Sequence, residues 1–220
     1  MELASYATIV FDCDGVLLDS NVIKSKAFWQ VGIQWGEQAA KALLDYHVSN
    51  GGVSRYLKFS HFRSVILPSI LGKESPATEE EMLQCYAQIV QAQLLQAKMA
   101  DQLDSLREAT AGSKWLVVSG GDQAEIRAVF SSRNIAEWFD GGIFGSPDKK
   151  SLILRRELNH GNIIQPAVYL GDSVYDYECA REAGLDFIFV SNWSEVKDWP
   201  EFVSQKQLPV VGKLSDFLND

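Results

Sequence analysis

Apolar residues along this chain follow two patterns that alternate only after a long first interruption. Tyr6-Ala7-Thr8-Ile9-Val10-Phe11 is a short apolar run rich in β-branched and aromatic residues, the signature of a strand buried in a parallel sheet. From Ser20 the spacing turns helical: Val22, Ile23, Ala27, Trp29 and Ile33 alternate with polar Lys26 and Gln30, and Ser20 or Asn21 is placed as N-cap. Further helical runs are predicted from Gly36 to Tyr46 and from Val53 to Ile70, with Ser49-Asn50-Gly51-Gly52 as the loop between them. After the punctuation at Gly72 to Pro76, the capping box Thr78-Glu79-Glu80-Glu81 opens a long amphipathic run through Leu106. Between about residues 20 and 100 the pattern holds no strand.

Strands then return, each followed by a helix. Trp115 to Ser119 reads as a strand and Asp122 to Ser132 as a helix; Gly142 to Gly145 is a short strand, and Lys149 to Leu158 a helix opened by Ser146-Pro147, with Pro in a first-turn position. Ala167 to Leu170 and Asp186 to Val190 are two more strands around a helix from Val174 to Ala183. This alternation predicts an α/β fold: a doubly wound, Rossmann-like parallel-sheet core with an all-helical cap inserted after the first strand. The division expected is a core of residues 1–19 and 101–220 and a cap of residues 20–100. The tail from Ser191 to Asp220, with Trp193, Trp199 and Pro200, is expected to pack along the sheet edge.

Composition narrows the partners. The chain has 220 residues, 46% hydrophobic and 22% charged, ordinary values for a globular enzyme, with a formal net charge of -9. That balance argues against nucleic acid or an anionic membrane as partner, and no apolar run approaches spanning length. Without a basic region followed by an apolar signal core, and with three scattered cysteines lacking metal-ligand spacing, a cytoplasmic chain with reduced thiols is expected, as a monomer or homodimer. Cys13 reads as a small core residue, since alternate positions at a strand end face opposite sides.

The chemistry-bearing residues fall at the ends of the strands. Asp12 and Asp14, separated by one residue and followed by Gly15, concentrate negative charge where open α/β sheets bind ligands. Hard oxygen donors of this kind suit Mg²⁺, which shares its coordination with a substrate phosphate. Ser119-Gly120-Gly121 offers either a helix cap or a phosphate-binding hydroxyl. Lys149-Lys150 sets cations at a helix start, against the dipole, and Gly171-Asp172-Ser173-Val174-Tyr175-Asp176 brings two acids four apart.

In order, Asp12-x-Asp14-Gly15-Val16, Ser119, Lys150 and Gly171-Asp172-x-x-x-Asp176 resemble the four motifs of the haloacid dehalogenase-like hydrolase superfamily, and the resemblance extends to its helical cap. The resemblance implies that Asp12 is the nucleophile and forms an aspartyl-phosphate, while Asp14 is the general acid and base. It implies Mg²⁺ on the Asp12 carboxylate, the Asp14 carbonyl and Asp172, with Asp176 supporting or binding directly. Ser119 and the Gly120 amide would hold the transferring oxygens, and the family's Ser-Pro-x-x-Lys spacing selects Lys150 to neutralise charge, leaving Lys149 solvated. Asp14 argues against dehalogenase activity, because the family's dehalogenases lack a second acid there.

Gly52-Val53-Ser54-Arg55 resembles the cap loop of β-phosphoglucomutase-like members, making Arg55 the candidate for the remote part of the substrate, with Lys58 and Lys24 next. Those mutases carry a lysine where this chain has Gly51 and a histidine where it has Lys24, and both departures weaken the mutase reading. The expectation is a Mg²⁺-dependent phosphomonoester hydrolase for a small phosphorylated metabolite: a sugar phosphate, a sugar-acid phosphate or phosphoglycolate. A phosphosugar mutase is the alternative, and a phospho-receiver or binding module a further one, against which the cap and Asp14 both stand.

Overall fold

The computed structural model describes residues 2–73 and 77–219. Strands β1 (Thr8–Phe11), β2 (Lys114–Asp122), β3 (Gly142–Ser146), β4 (Ala167–Gly171), β5 (Asp186–Val190) and β6 (Val210–Val211) pair in parallel, in the order β3-β2-β1-β4-β5-β6. All four residues of β1 are buried, as the continuous apolar run requires. Its alternate side chains divide between two cores: Ile9 and Phe11 join Val117 and Leu170 on one face, and Val10 joins Leu116 and Tyr169 on the other. The chain runs outward from β1 through β2 to β3, then crosses back to β4 on its other side. The strand order therefore reverses between β1 and β4, and their carboxyl ends flank the crevice where such sheets bind ligands.

Five helices follow β1: α1 (Asn21–Gly32), α2 (Glu37–Ser49), α3 (Arg55–His61), α4 (Leu67–Leu71) and α5 (Glu79–Gln96). Between α3 and α4 the chain continues as one turn of wider π-helix, Phe62–Ile66. The Thr78 capping box is present, its hydroxyl accepting from the Glu81 amide while Glu81 reaches back to the Thr78 amide. Of the expected break at Gly72 to Pro76, Gly72 closes α4 in a left-handed conformation, and residues 74–76 lie outside the described residues.

The long helix expected through Leu106 is two helices. α5 ends at Gln96, and the chain returns to the core in extended form before α6 (Leu103–Ala109). The return segment lies antiparallel beside the outgoing one: Leu18 bridges Met99, the Asp19 amide donates to the Lys98 carbonyl, and the Ala100 amide to that of Leu17. Leu94, Ala97, Ala100 and Leu103 are all buried, so the apolar spacing carries through the break and hides it.

Helices α7 (Gln123–Ser132), α8 (Lys150–Asn159), α9 (Val174–Glu182) and α10 (Trp199–Lys206) complete the core. Pro147 is not in the first turn of α8, which begins at Lys150 after a turn. β2 extends past Ser119 through Gly120 and Gly121 to Asp122, with an irregular register against β3. The tail supplies α10 and the edge strand β6, which pairs with β5.

Candidate active site

Asp12 directly follows β1, and its amide continues the ladder to the Leu170 carbonyl of β4. The Cys13 amide donates to Asp12 Oδ1 at 2.7 Å, fixing the carboxylate at the strand's end. A tight turn follows, in which Gly15 has φ 76°. A Cβ at Gly15 would sit 2.1 Å from Asp172 Oδ2, so only glycine lets the loop after β4 close on the loop after β1. Cys13 is 1% exposed and packs in the apolar core, where burial and then Asp14 push its thiol well above the usual range. It is a core residue.

Lys150, in the first turn of α8, reaches inward to Asp12 Oδ2 at 3.0 Å and Asp176 Oδ1 at 2.5 Å. These carboxylates offset the unfavourable dipole position. Although burial opposes its charge, Asp12 and Asp176 hold the Lys150 ammonium well above the usual lysine range. Asp176 is itself held: Oδ2 accepts from the Ser173 amide and hydroxyl in a capping box at the start of α9, and the Tyr169 hydroxyl lies 3.3 Å from Oδ1. A Cβ on Gly171 would meet the Asp176 Cβ at 2.5 Å, so the glycine before Asp172 lets α9 approach.

Asp12, Asp172 and Asp176 offer carboxylate oxygens within 4.8 Å of one another, all buried. Lys150 serves two of these acids, and Asp172 Oδ2 accepts only the neutral Asn21 amide at 2.7 Å among the described residues. Burial lifts the Asp12 carboxyl from its ordinary 3.8 to about 7, against the pull of Lys150. Burial, then Asp176 and Asp12, pushes Asp172 well above the carboxylate range. Three buried acids around one lysine fit a divalent cation, and Asp172, which no cation pairs among the described residues, is the acid most in need of one.

The Asp14 side chain turns away from this cluster. Its oxygens take hydrogen bonds from the Ser20 hydroxyl and the Lys24 ammonium, each at 2.5 Å. Burial works to raise the Asp14 carboxyl, but Lys24 and Ser20 hold it below its ordinary value. Ser20 precedes α1 without capping it through its side chain, and Asn21 is spent on Asp172 and the Trp193 carbonyl. The cap reading of these two residues is therefore replaced by a role in fixing the acids.

Ser119 is fully buried, and its Oγ accepts from the Gly121 amide at 3.0 Å. It caps no helix; Asp122 caps α7 by accepting from the Glu125 amide. Gly120 forms part of the wall of a cavity of about 60 Å³ between the sheet and the inserted helices, whose lining includes Asp12, Asp14, Lys24, Lys58 and Asp172. A Cβ on Gly120 would lie 2.1 Å from the Gly52 carbonyl oxygen, and one on Gly52 (φ 78°) 2.7 Å from Ser173 Oγ. The backbone at Gly52 thus closes the cavity against both β2 and α9.

Arg55 also lines the cavity; its two terminal nitrogens are paired, while its buried Nε has no hydrogen-bond partner among the described residues. The guanidinium donates to both oxygens of Glu125 at 2.9 and 3.0 Å and lies 3.4 Å from Asp122, which also accepts from the Tyr56 hydroxyl. Arg55 ties α3 to α7. Sequence spacing gives no sign of Glu125, Asp122 and Tyr56 as its partners, nor of His47, which contacts Lys58.

The family model for haloacid dehalogenase-like hydrolases matches residues 6–184. No curated protein matches the sequence. Among solved structures, a protein from Haemophilus somnus described as a predicted phosphoglycolate phosphatase superposes with a TM-score of 0.76 at 14% identity, over 99% of this chain and 98% of its own. A predicted phosphatase from Clostridium acetobutylicum gives 0.70 at 18% identity, over 96% and 95%. CbbY from Rhodobacter sphaeroides, in complex with phosphate, gives 0.66 at 16%, over 96% and 99%. At these identities the likeness establishes the fold, and the family match establishes the membership: this chain belongs to the haloacid dehalogenase-like hydrolases.

Proposed function

We propose that the protein is a Mg²⁺-dependent phosphomonoester hydrolase working through an aspartyl-phosphate. The observation that carries this reading is the convergence of Asp12, Lys150, Asp172 and Asp176 at the crevice between β1 and β4, under a closed helical layer. Asp12 Oδ1 is held by the Cys13 amide and Oδ2 by Lys150, which orients the carboxylate to attack phosphorus. Lys150 offsets the charge that builds on Asp12 and the incoming phosphoryl oxygens. The Ser119 hydroxyl and Gly120 amide support those oxygens. When bound, Mg²⁺ supplies positive charge that lets two anions approach.

Asp14, positioned by Ser20 and Lys24, takes a proton from the attacking water in the second step, and that proton is the one it gives to the leaving oxygen of the next ester, so the group returns to its starting state over each cycle. A panel of phosphorylated metabolites assayed with Mg²⁺ tests the reading: phosphate release from at least one small ester is expected, and no release from any member overturns it.

Two further outcomes follow from the acid cluster. Asp172→Ala should raise the Mg²⁺ concentration for half-maximal activity more than Asp176→Ala, because Asp176 is occupied by Lys150 and Ser173. Equal shifts would assign both acids to the metal. Separately, native Asp12 titrates at about 7 rather than 3.8, so between those values the folded state binds more protons than the unfolded chain. This group therefore lowers stability as pH rises from about 4 to 7. Mg²⁺ offsets that loss, so its increase in Tm should be larger at pH 8 than at pH 5, and equal increases by thermal melts would contradict the charge argument.

A further inference from the structure

Three cationic side chains of the inserted helices line the cavity, and two are already paired. Lys24 is bonded to Asp14, and Arg55 to Glu125 and Asp122. The third, Lys58 of α3, is 2% exposed, and among the described residues no carboxylate pairs with it. Its ammonium lies 2.8 Å from His47 Nδ1 of α2 and 5.5 Å from the centre of the Phe28 ring of α1. His47 is buried and stacks on Phe28. Burial and the neighbouring Lys58 keep its ring neutral, so Nδ1 accepts one Lys58 hydrogen and the others remain to donate.

A buried lysine without a counter-charge is costly. Burial and then Lys24 depress the Lys58 amine to about 7, with Asp14 acting the other way, Lys150 adding repulsion and Glu195 opposing it. An anion arriving through the cavity would restore its charge. The cavity that Lys58 lines also holds Asp12, so a ligand whose phosphoryl end meets Asp12 can bring a second charged group to Lys58.

We propose that Lys58, oriented by His47, is the receptor for a second anionic group, a carboxylate or a second phosphate, on the substrate. This rests on the phosphatase reading for the phosphoryl end and adds what recognises the other end. Arg55, whose terminal nitrogens meet Glu125 and Asp122, ties α3 to α7 beside it.

The test compares kcat/KM for 2-phosphoglycolate, for the nearly isosteric but uncharged-ended 2-hydroxyethyl phosphate, and for fructose 1,6-bisphosphate. The native protein should prefer phosphoglycolate or the bisphosphate to hydroxyethyl phosphate by about 10- to 100-fold, as expected for a hydrogen bond to a charged group. In Lys58→Met that ratio should fall to about 1. Lys58→Gln, which keeps a hydrogen bond to His47, should lose the preference too, and thermal melts verify that both variants fold. Absence of any preference for a doubly anionic ester, or its survival in both variants, overturns the proposal; a preference lost in both variants supports it, and the preferred ester identifies the second anion as carboxylate or phosphate. Should no ester be hydrolysed, the phosphatase reading fails while Lys58 is still tested by calorimetry: phosphoglycolate binding at least 10-fold weaker in Lys58→Met supports the receptor, and equal binding refutes it.

Discussion

Asp12→Asn should abolish turnover of every ester, by at least about 10⁴-fold or roughly 5 kcal/mol of barrier, because the amide cannot displace an alkoxide from phosphorus. The substitution is nearly isosteric and keeps an acceptor for the Cys13 amide. It also removes one of the three clustered charges, so stability at pH 8 without metal should be unchanged or higher. That combination separates a lost nucleophile from a lost fold. Acid-quenched reactions with labelled substrate should trap an acyl-phosphate in the native protein and none in the variant. Retention of more than about one per cent activity would falsify the assignment of Asp12.

Lys150→Met should have the largest effect on the fold. Lys150 is buried between Asp12 and Asp176, and removing one partner of a buried ionic cluster leaves the other charges without compensation. The expected loss is about 3–5 kcal/mol of unfolding free energy at pH 8 without metal. Loss of the lysine lets Asp12 rise still further above 7, so near pH 5 it is protonated in the folded variant and the deficit should shrink. Lys150→Met combined with Asp176→Asn should recover part of the loss. Urea titrations at the two pH values measure both, and a deficit under about 1 kcal/mol at pH 8 would mean that the acids are compensated by something other than Lys150.

The meeting of Asp12, Lys150, Asp172 and Asp176 is legible in the sequence because topology does the gathering. In a parallel sheet every strand ends on the same edge, so polar residues at successive strand-to-helix junctions meet without any knowledge of side-chain angles. The doubly wound core and the helical insertion follow from period alone. Contacts between faces of different elements are not encoded this way. Helical spacing places Lys24 and Lys58 on buried faces but does not say that the first meets Asp14 and the second His47. Arg55 and Glu125 lie far apart in sequence, on helices whose meeting depends on how the inserted layer seats over the sheet. The end of α5 at Gln96 escaped for a different reason: no glycine or proline marks it, and the extended segment after it buries side chains at nearly helical intervals.

The central place of β1 bears on the order in which the chain can fold. Its partners begin at Lys114 and Ala167, so β1, synthesised before both, must wait for the two segments that flank it. The intervening helices depend on nearer contacts and can form while the ribosome is still extending the chain, whereas docking of β1 requires closing long loops. Until β4 is in place, Asp12 remains hydrated and distant from Asp172 and Asp176. Bringing these carboxylates together is thus confined to the final docking step, and a nascent chain stalled before Ala167 presents an ordered helical layer beside an apolar strand with one flank bare, the species on which a chaperone would act.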